Sequence, residues 1–547
     1  MRRSFEPVLG STKLWLRSKV CIRRSREMKP GLLFMWPLTR YNGHTAVVYK
    51  DTRLTFSQMD ARINRLSNGL LALGLAKGSK VAVLLDNSVE SAASLFAIPR
   101  AGLTYVSLNA RHSPREHVEI LNDCEADALI VDEAFLGFLE PELSSVPNLK
   151  QVIVVGASRS GRLTVDELVA LQPDSTPAVE VDEDVDIERL QYTSGTTGQP
   201  KGVAWTFRIA YNVLANVLMN LDEPIGPSDV NLNSGPLTHA AGLMMMTYYS
   251  RGATNIILPR FDEQEVLETI QRERVTSLLL IPTMLYRLLM VPNLKSFDLT
   301  SVRRIWYGTA PMAVEKLTEG IRVFGHVFRQ NYGMTEMAQP ITYLGPEDHV
   351  IDGTEIQTMR LSSAGRPAMG VEVKVADKDG APVKPGEIGE ILIRSNKLMK
   401  GYWKKPEETA EAFKDGWFHT RDMGTVDGDG YLYIMDRKSD MIISGGFNIY
   451  PREVEDVLMG HPGVAEAAVI GVPHEIWGEA VKAMVVLKQG VDLSEAQIIE
   501  HCKRNLAGYK KPTSVDFINE IPKNLYGKVD RRILKEPFWR GRDRWVH

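Results

Sequence analysis

The chain contains the segment Tyr192-Thr193-Ser194-Gly195-Thr196-Thr197-Gly198-Gln199-Pro200-Lys201-Gly202, which combines hydroxyl groups, glycines and one lysine and has no aliphatic core-forming side chain. Glycines let backbone N–H groups approach an anion closely. The hydroxyls and the ammonium add charge-assisted hydrogen bonds, each worth roughly 1.5–3 kcal/mol where water is excluded. The segment therefore predicts a phosphate-binding loop, and a triphosphate is the expected ligand.

Two other interpretations of this segment are a flexible linker and the P-loop of other NTPases. Gly, Ser and Thr are also the residues of which linkers are made. A P-loop requires Gly, four residues, and then Gly-Lys followed by Ser or Thr. Here Pro200 precedes the lysine and Gly202 follows it, so the P-loop template does not match.

The loop instead resembles the phosphate-binding signature of the adenylate-forming superfamily, which includes acyl-CoA synthetases, amino-acid-activating adenylation domains and luciferases. Further segments resemble that superfamily's motifs in the same order along the chain. They are residues 331–336, 416–422, 436–451 and 522–528. The ordered matches extend from about residue 190 to 530, so the chain is identified as a member of the acyl-CoA synthetase branch.

Short apolar runs alternate with helical stretches from Ala46 onward, as in α/β proteins. The predicted strands are 80–85, 128–131, 152–155, 254–258, 277–281 and 304–307, and the predicted helices are 56–73 and 263–273. This pattern indicates stacked, largely parallel sheets with helices. After Asp436 the pattern changes to a small α+β unit with helices 451–459 and 494–506 and strands 465–472 and 480–487, the second helix being capped by Ser494 with Gln497.

At 547 residues the chain exceeds what one core usually supports. We predict an N-terminal adenylation domain over 31–437, which binds ATP and the acyl acid. A mobile C-terminal domain over 438–547 is predicted to carry a catalytic lysine and a CoA tunnel. Residues 1–30 hold nine Arg or Lys against two Glu. They form a basic extension that a disordered tail, a transit-like segment or a translation start upstream of Met28 would each explain.

Composition excludes several classes of protein. The formal net charge of −3 and the pI near 6.5 argue against nucleic-acid binding by bulk electrostatics. Cys21, Cys124 and Cys502 lie far apart, which argues against disulfides and a Cys-based zinc site and favours a reducing, cytoplasmic location. No apolar run approaches the roughly 18 residues that span a bilayer. A homodimer is compatible with this composition.

Adenylation brings a carboxylate to the α-phosphate of ATP, so cations and donors are needed where charge develops. Mg²⁺ suits this task because it binds few protein oxygens together with phosphate oxygens and waters. The resemblance implies Glu336 as the magnesium ligand, Thr335 on the α-phosphate, and Lys528 as the catalytic lysine that bridges both substrates. It implies a cradle for the β- and γ-phosphates formed by Thr193, Ser194, Gly195, Thr196, Thr197, Gly198 and Lys201. Without their family context, Glu336 would be interpreted as a solvated charge and Lys528 as a surface lysine in a turn.

The resemblance also assigns an adenosine site. Gly308, Thr309 and Ala310 are expected to run along the adenine, with Tyr332 stacked on the ring and Gly333 beside it. Asp422 is expected to accept hydrogen bonds from the ribose hydroxyls, and Arg437 to donate next to it. A simple turn at 308–311 and a surface ion pair between the last two residues are the alternatives.

For coenzyme A the resemblance implies a pantetheine tunnel whose face is formed by Gly445 and Gly446, since a narrow tunnel leaves no room for a Cβ. It places Trp477, Tyr509 and Lys511 against the CoA nucleotide, although an aromatic between two elements is also commonly just packed. The chain departs from the family pattern at Ser439, where the hinge commonly has Asp or Lys. It also departs at Phe447, where many relatives have Glu.

His239 lies in the segment 236–246, where CoA ligases carry a side chain that gates the acyl and pantetheine channels. The alternative is a histidine hydrogen-bonded within a loop. No acidic residue occurs from 230 to 261, whereas amino-acid-activating domains place an Asp there, so a simple carboxylic acid is favoured. Three methionines at 244–246 suggest either a deformable acyl pocket or buried helix packing.

These observations predict an ATP-dependent acyl-CoA synthetase. A medium- or long-chain fatty acid or an aromatic acid would be activated as acyl-AMP and then transferred to CoA, with ATP, Mg²⁺ and CoA as the required small molecules. The alternatives are a ligase that loads the pantetheine thiol of a carrier protein, and a noncatalytic nucleotide-binding protein on the same scaffold.

Overall fold

The computed structural model describes residues 27–31, 34–157, 161–194, 200–437, 440–445, 447–524 and 528–540. Up to the phosphate loop these residues form, in chain order, β1 (Glu27–Met28), α1 (Met35–Tyr41), β2 (Thr45–Tyr49), β3 (Thr52–Thr55), α2 (Phe56–Ala72), β4 (Lys80–Leu84), α3 (Val89–Arg100), β5 (Thr104–Ser107), α4 (Pro114–Asp123), β6 (Ala128–Asp132), α5 (Glu133–Leu139), a 3-10 helix (Glu140–Ser145), β7 (Gln151–Val155), α6 (Val165–Val169), β8 (Val181–Asp182) and β9 (Ile187–Ser194).

The central part continues with β10 (Pro200–Thr206), α7 (Phe207–Met219), β11 (Val230–Asn233), α8 (Ala240–Ser250), β12 (Thr254–Ile257), α9 (Glu263–Glu273), β13 (Ser277–Leu279), α10 (Pro282–Leu289), a 3-10 helix (Leu294–Ser296), β14 (Arg304–Gly308), α11 (Val314–Phe324), β15 (Phe328–Tyr332), β16 (Thr342–Leu344), 3-10 helices at Pro346–Asp348 and Arg360–Ser362 that flank α12 (Glu355–Met359), β17 (Arg366–Pro367), β18 (Val371–Ala376), β19 (Gly389–Ser395), β20 (Gly401–Tyr402), α13 (Pro406–Ala412), β21 (Phe413–Lys414), β22 (Trp417–Val426) and β23 (Leu432–Arg437).

The last part consists of β24 (Ile442–Ser444), β25 (Phe447–Ile449), α14 (Pro451–Met459), β26 (Val464–His474), β27 (Gly478–Leu487), α15 (Glu495–Asn505), β28 (Ser514–Phe517) and α16 (Arg531–Trp539). The predicted cap of α15 is present as a capping box. The Ser494 hydroxyl accepts from the Gln497 backbone N–H, and the Gln497 side-chain oxygen accepts from the Ser494 backbone N–H.

Two large sheets form the main body. The first has the order β20-β10-β9-β5-β4-β6-β7 and is parallel from β9 to β7. The second has the order β17-β16-β15-β14-β13-β11-β12-β2-β3 and is parallel from β15 to β2. The predicted α/β fold with stacked, largely parallel sheets is confirmed.

The hydrophobic core explains why the sheets stack. One large cluster combines residues of both sheets with α2, α3, α7 and α8, represented by Val81, Ile257, Phe96 and Met245. Separate clusters cover the outer faces, one with α4 and α5 on the first sheet and one with α9, α10 and α11 on the second. Because strands buried on both faces need apolar cover on both, the result is a layered helix–sheet–helix–sheet–helix body.

Two smaller sheets follow. Residues 371–437 form a sheet in which β18, β19, β21, β22 and β23 pair antiparallel. The sequence prediction did not distinguish this antiparallel region from the parallel sheets before it. The last sheet has the order β25-β24-β27-β26 with β28 beside β27, and it packs against α14, α15 and α16.

The parallel strands direct their carboxyl ends toward one edge of each large sheet. Ligands of open α/β sheets bind in the crevice outside these ends. The carboxyl end of β9 leads into the phosphate loop, and those of β14 and β15 lead into the 308–310 and 332–336 segments.

Candidate active site

The strands β9 and β10, which precede and follow the phosphate loop in sequence, pair antiparallel, with Thr193 opposite Lys201; we call this pair the phosphate hairpin. Lys201 is largely buried, and its ammonium forms an ion pair with Glu408. It also lies 5.3 Å from the centre of the Tyr402 ring. The predictions for Gly195, Thr196, Thr197 and Gly198, and for the Ser194 side chain, lie outside the described residues.

The loop that carries Thr335 and Glu336 follows β15 and is fixed by neighbouring segments. The indole N–H of Trp205 donates to the Thr335 carbonyl at 3.1 Å, and the Met399 backbone N–H donates to the Glu336 carbonyl at 2.7 Å. The Tyr402 hydroxyl donates to Glu336 Oε1 at 2.9 Å. The half-buried Glu336 carboxylate is therefore oriented beside the phosphate hairpin.

The segment predicted to run along adenine begins with a residue whose backbone conformation only glycine adopts easily. Gly308 has φ +154°, and a Cβ there would lie 2.1 Å from the Asn331 carbonyl oxygen. Thr309 follows in the left-handed region with φ +65°, and Ala310 is partly buried. Positive φ at a non-glycine residue is uncommon and is concentrated at functional sites.

Gly333 allows a second close approach, since a Cβ there would lie 2.7 Å from the Gln339 backbone nitrogen. Without a side chain at this position, the 333–340 loop folds back on itself directly after β15. This places the loop's carboxylate near the end of the strand.

The predicted ribose site forms a connected group. The Tyr332 hydroxyl donates to Asp422 Oδ2 at 2.5 Å, and Arg437 Nε lies 3.7 Å from Asp422 Oδ1. Asp422 and Arg437 are paired residues of the antiparallel strands β22 and β23. Burial raises the pKa of Asp422, while Arg437 and the hydrogen bond from Tyr332 act against that rise. The aspartate is thus buried rather than part of a surface ion pair.

Lys528 is distant in sequence from the ribose site, but the charged groups of that site act on its ammonium. Burial and the neighbouring Arg437 lower the pKa of Lys528 to about 8, while Asp422 and Glu336 act in the opposite direction. Its backbone N–H is bound by Asn524 Oδ1 at 3.0 Å. The structure therefore brings together the predicted catalytic lysine, magnesium ligand and ribose-binding residues.

His239 precedes α8 at the edge of the first hydrophobic cluster. Burial lowers the pKa of His239 to about 4, with smaller contributions from His112 and Arg111, so its imidazole is neutral at pH 7. Its backbone carbonyl accepts from the Gly242 N–H at 2.9 Å. The structure places this residue but does not by itself assign it the gating role.

All three methionines of α8 are buried, and the acyl-pocket role stays a prediction. Met244 and Met245 are buried in hydrophobic clusters, as expected for helix packing. Met246 belongs to the same cluster as Met245 and also lines a small pocket between α3, α7 and α8, whose wall includes Phe96 and Leu214 but also the buried ion pair of Glu188 and Arg189.

The residues predicted to bind CoA make their contacts within the small sheet. The Gly445 N–H donates to the Trp477 carbonyl at 2.9 Å, and the Trp477 ring stacks on His474 at 4.4 Å. Tyr509 stacks on Phe447 at 4.6 Å, and Lys511 is partly buried. Both aromatic pairs expose large surfaces to solvent. Gly446 and Ser439 lie outside the described residues.

Two residues of this site were missed by sequence reasoning. Tyr402 connects Lys201 with Glu336, and Glu408 is the counter-ion of Lys201. Nothing in their local sequence distinguishes them from surface residues of a loop and a helix. Their role follows only from the pairing of β20 with β10.

The chemistry of this group of side chains fits magnesium-bound ATP. The Glu336 carboxylate accepts from the Tyr402 hydroxyl, and its charge acts on the Lys528 ammonium, which fits Mg²⁺ that is held mainly by phosphate oxygens and waters. The buried carboxylate of Asp422 provides an acceptor for hydroxyl groups, which suits the ribose of a nucleoside.

Comparison with known proteins agrees with this geometry. The AMP-binding enzyme family matches residues 34–403, and the AMP-binding enzyme C-terminal domain matches residues 453–528. A medium/long-chain-fatty-acid–CoA ligase of Mycobacterium tuberculosis is 36% identical over 534 residues, covering 94% of this chain and 91% of the relative. A feruloyl-CoA synthase of Amycolatopsis is 39% identical over 509 residues, covering 92% and 98%.

Among solved structures, an anthranilate CoA ligase in complex with anthranoyl-AMP superimposes with a TM-score of 0.85 at 30% identity, covering 92% of this chain and 96% of that one. The fold and site define an adenylate-forming enzyme. The chain belongs to the AMP-binding enzyme family, on its acyl-CoA ligase branch, and is an AMP-forming acid–thiol ligase that uses ATP, Mg²⁺ and CoA. The helices of the described residues are all too short or too polar to cross a membrane.

Proposed function

We propose that this acyl-CoA synthetase activates a hydrophobic carboxylic acid, either a medium- or long-chain fatty acid or an aromatic acid, and transfers it to CoA. The observation that carries the proposal is the position of Lys528 near Glu336 and Asp422, which joins three separate motifs in one site. The neutral His239 and the buried apolar side chains at the start of α8 support an uncharged acyl group.

In the proposed mechanism the phosphate hairpin holds the β- and γ-phosphates, and Lys201 exchanges its ion pair with Glu408 for the phosphate oxygens. Asp422 and Arg437 fix the ribose, and the 308–310 segment lies along the adenine. Glu336 would hold Mg²⁺, which would supply positive charge to the phosphate oxygens. The Lys528 ammonium aligns the acid's carboxylate with the α-phosphate and stabilises the charge that develops there.

In the second half-reaction the acyl group passes from AMP to a thiol. We propose that residues 438–547 move as a domain, so that Gly445 and Gly446 line the pantetheine path and Trp477, Tyr509 and Lys511 contact the CoA nucleotide. The exposure of the two aromatic pairs supports this role, because they are available to a ligand. His239 is proposed to gate the acyl and pantetheine channels.

A cytoplasmic location and a homodimer are part of the proposal. The free, buried thiols of Cys124 and Cys502 support a reducing compartment. Light scattering of the purified protein tests the dimer, and a mass equal to one chain would contradict it.

The test of the function is AMP release over a panel of acids from acetate through fatty acids to benzoate and cinnamate types, each with CoA, without CoA, and with a pantetheinylated carrier protein. We expect AMP release that depends on both a hydrophobic acid and CoA. Adenylate that accumulates with CoA but is consumed by the carrier protein would favour the carrier-protein ligase. Absence of acid-dependent pyrophosphate release throughout the panel would contradict the proposed substrate class.

A further inference from the structure

Lys397 is a lysine whose side chain has no exposed surface. Its ammonium donates to Asn216 Oδ1 at 2.8 Å and to the Pro340 carbonyl. Among the described residues no carboxylate forms an ion pair with it. Burial lowers the pKa of Lys397 to about 7. Burying an ammonium without a counter-ion is costly, so this side chain is a poor means of stabilising the fold.

One acceptor of this ammonium belongs to the loop that carries the predicted magnesium ligand. Pro340 ends the 333–340 loop between β15 and β16, and Thr335 and Glu336 lie within it. The contact from Lys397 therefore fixes the distal end of that loop.

The same chain segment fixes the loop at two further points. We define the 396–403 segment as the residues that lead from β19 through β20. Within it the Met399 N–H binds the Glu336 carbonyl, and the Tyr402 hydroxyl binds the Glu336 carboxylate. Lys397 adds the third attachment, so one segment holds the loop at three points, beside the contact from Trp205 to the Thr335 carbonyl.

The other acceptor connects this segment to the phosphate hairpin. Asn216 belongs to α7, which begins directly after β10. Its side-chain amide donates to the Met369 carbonyl at 2.5 Å, and Asn212 of the same helix donates to the Asn396 carbonyl at 2.9 Å. The buried ammonium thus links the helix that follows the phosphate hairpin with the carboxylate loop.

We propose that Lys397 is a positioning residue for adenylation, which holds the 333–340 loop so that Glu336 faces the phosphate hairpin. The inference rests on the proposed function, since it assigns the magnesium carboxylate to Glu336. An apolar residue at position 397 would leave the Pro340 carbonyl buried without its donor, and the loop would then shift to recover one.

The test compares Lys397→Met with Lys400→Met. Methionine matches the lysine in length and removes only the ammonium. Lys400 lies in the same segment but is exposed and donates to the Val185 carbonyl, outside the loop, so its variant is the matched control. Three quantities are measured: pyrophosphate exchange as a function of Mg²⁺ concentration, thioester formation from preformed acyl-adenylate and CoA, and the thermal unfolding midpoint.

For Lys397→Met we expect pyrophosphate exchange and apparent Mg²⁺ affinity to fall about 10- to 100-fold, as for residues that orient a metal ligand. Thioester formation should remain within about twofold of wild type, since a change well under 1 kcal/mol is expected there. The unfolding midpoint should change little, because removal of a costly buried charge offsets the loss of the donor to two buried acceptors. Lys400→Met should match wild type in all three quantities.

A second variant, Lys397→Gln, keeps an N–H donor without the charge and should exchange pyrophosphate faster than Lys397→Met. Unchanged exchange in Lys397→Met, an equal loss of both half-reactions, or failure of that variant to fold would each overturn the proposal, since each contradicts a selective role in positioning. If the wild-type enzyme activates no acid in the panel, Mg²⁺-dependent binding of a fluorescent ATP analogue tests Lys397 independently of the proposed function.

Discussion

At the scale of single residues, Lys528 combines a predicted catalytic position with an unusual ionisation. Its ammonium lies near two carboxylates but also near Arg437 and in a largely desolvated place, so the proton is held less firmly than on a surface lysine. The phosphates of ATP would reverse this balance on binding.

The first prediction concerns removal of this ammonium. Lys528→Ala should lower the rate of pyrophosphate exchange about 100- to 1,000-fold, as does loss of one donor that stabilises a developing oxyanion. ATP binding should be nearly unchanged, because the hairpin and the ribose site are intact. The measurement is exchange kinetics together with ATP titration.

Lys523→Ala is the control for that variant, since Lys523 lies five residues earlier and pairs with Glu466 at the surface. It should leave exchange unchanged. Wild-type exchange in Lys528→Ala would remove this lysine from the mechanism.

The second prediction concerns pH. The lowered pKa of about 8 means that free enzyme loses the Lys528 proton as pH rises through 8, so kcat/KM for adenylation should fall about tenfold per pH unit above it. In Lys528→Arg this fall should disappear from the range, because a guanidinium stays charged. A pH–rate profile of both proteins measures this, and identical falling limbs would contradict the assignment.

The lowered pKa of Lys528 also affects the free energy of unfolding, which should change with pH in the direction opposite to adenylation. Lys528 has a pKa of about 8 when folded and an ordinary value of 10.5 when unfolded. Between these values the unfolded chain binds more protons, so this residue's contribution to the free energy of unfolding rises with pH. Adenylation and stability should therefore change in opposite directions across this window.

At the scale of elements, β14 and β15 pair at their ends, where the proposed nucleotide site begins. Gly308 and Asn331 are partners in this pair, and the backbone at Gly308 passes so close that no side chain fits. The left-handed Thr309 then turns the chain away from the strand.

The third prediction tests this close approach. Gly308→Ala should destabilise the protein by about 1–3 kcal/mol and weaken ATP binding, because the new methyl group would force the two strand ends apart. Gly428→Ala is the control, since its added Cβ would meet nothing within 4 Å. Chemical denaturation of both variants measures the difference, and equal midpoints would show that the strand ends adjust without strain.

At the scale of the whole molecule, we propose that the position of the last sheet decides which half-reaction the enzyme can perform. In the structure the charges of Asp422 and Glu336 act on Lys528, while Gly445, Trp477 and Tyr509 make their contacts within the last sheet. Thioester formation by the proposed route requires a different placement of residues 438–547.

The fourth prediction separates the two placements. Gly446→Leu should block thioester formation and spare adenylate formation, because its side chain would fill the proposed pantetheine path. Pyrophosphate exchange and CoA-dependent AMP release, measured on the same variant, distinguish the half-reactions. An equal loss of both would mean that Gly446 is needed for the fold instead.

The sequence by itself determined the family, the layered α/β class and the order of the motifs. The phosphate hairpin, the adenine segment and the ribose-binding strand are local patterns, so their chemistry is visible in a few consecutive residues. The capping box at Ser494 was predicted for the same reason, because its hydrogen bonds span only three residues.

Only the tertiary structure decided how these segments are held against one another. Tyr402 binds Glu336 across 66 residues and Lys397 binds Pro340 across 57. The counter-ion of Lys201, Glu408, also comes from a distant helix. Such pairs depend on which strands become neighbours when the two sheets bury their apolar faces, and no local pattern encodes that choice.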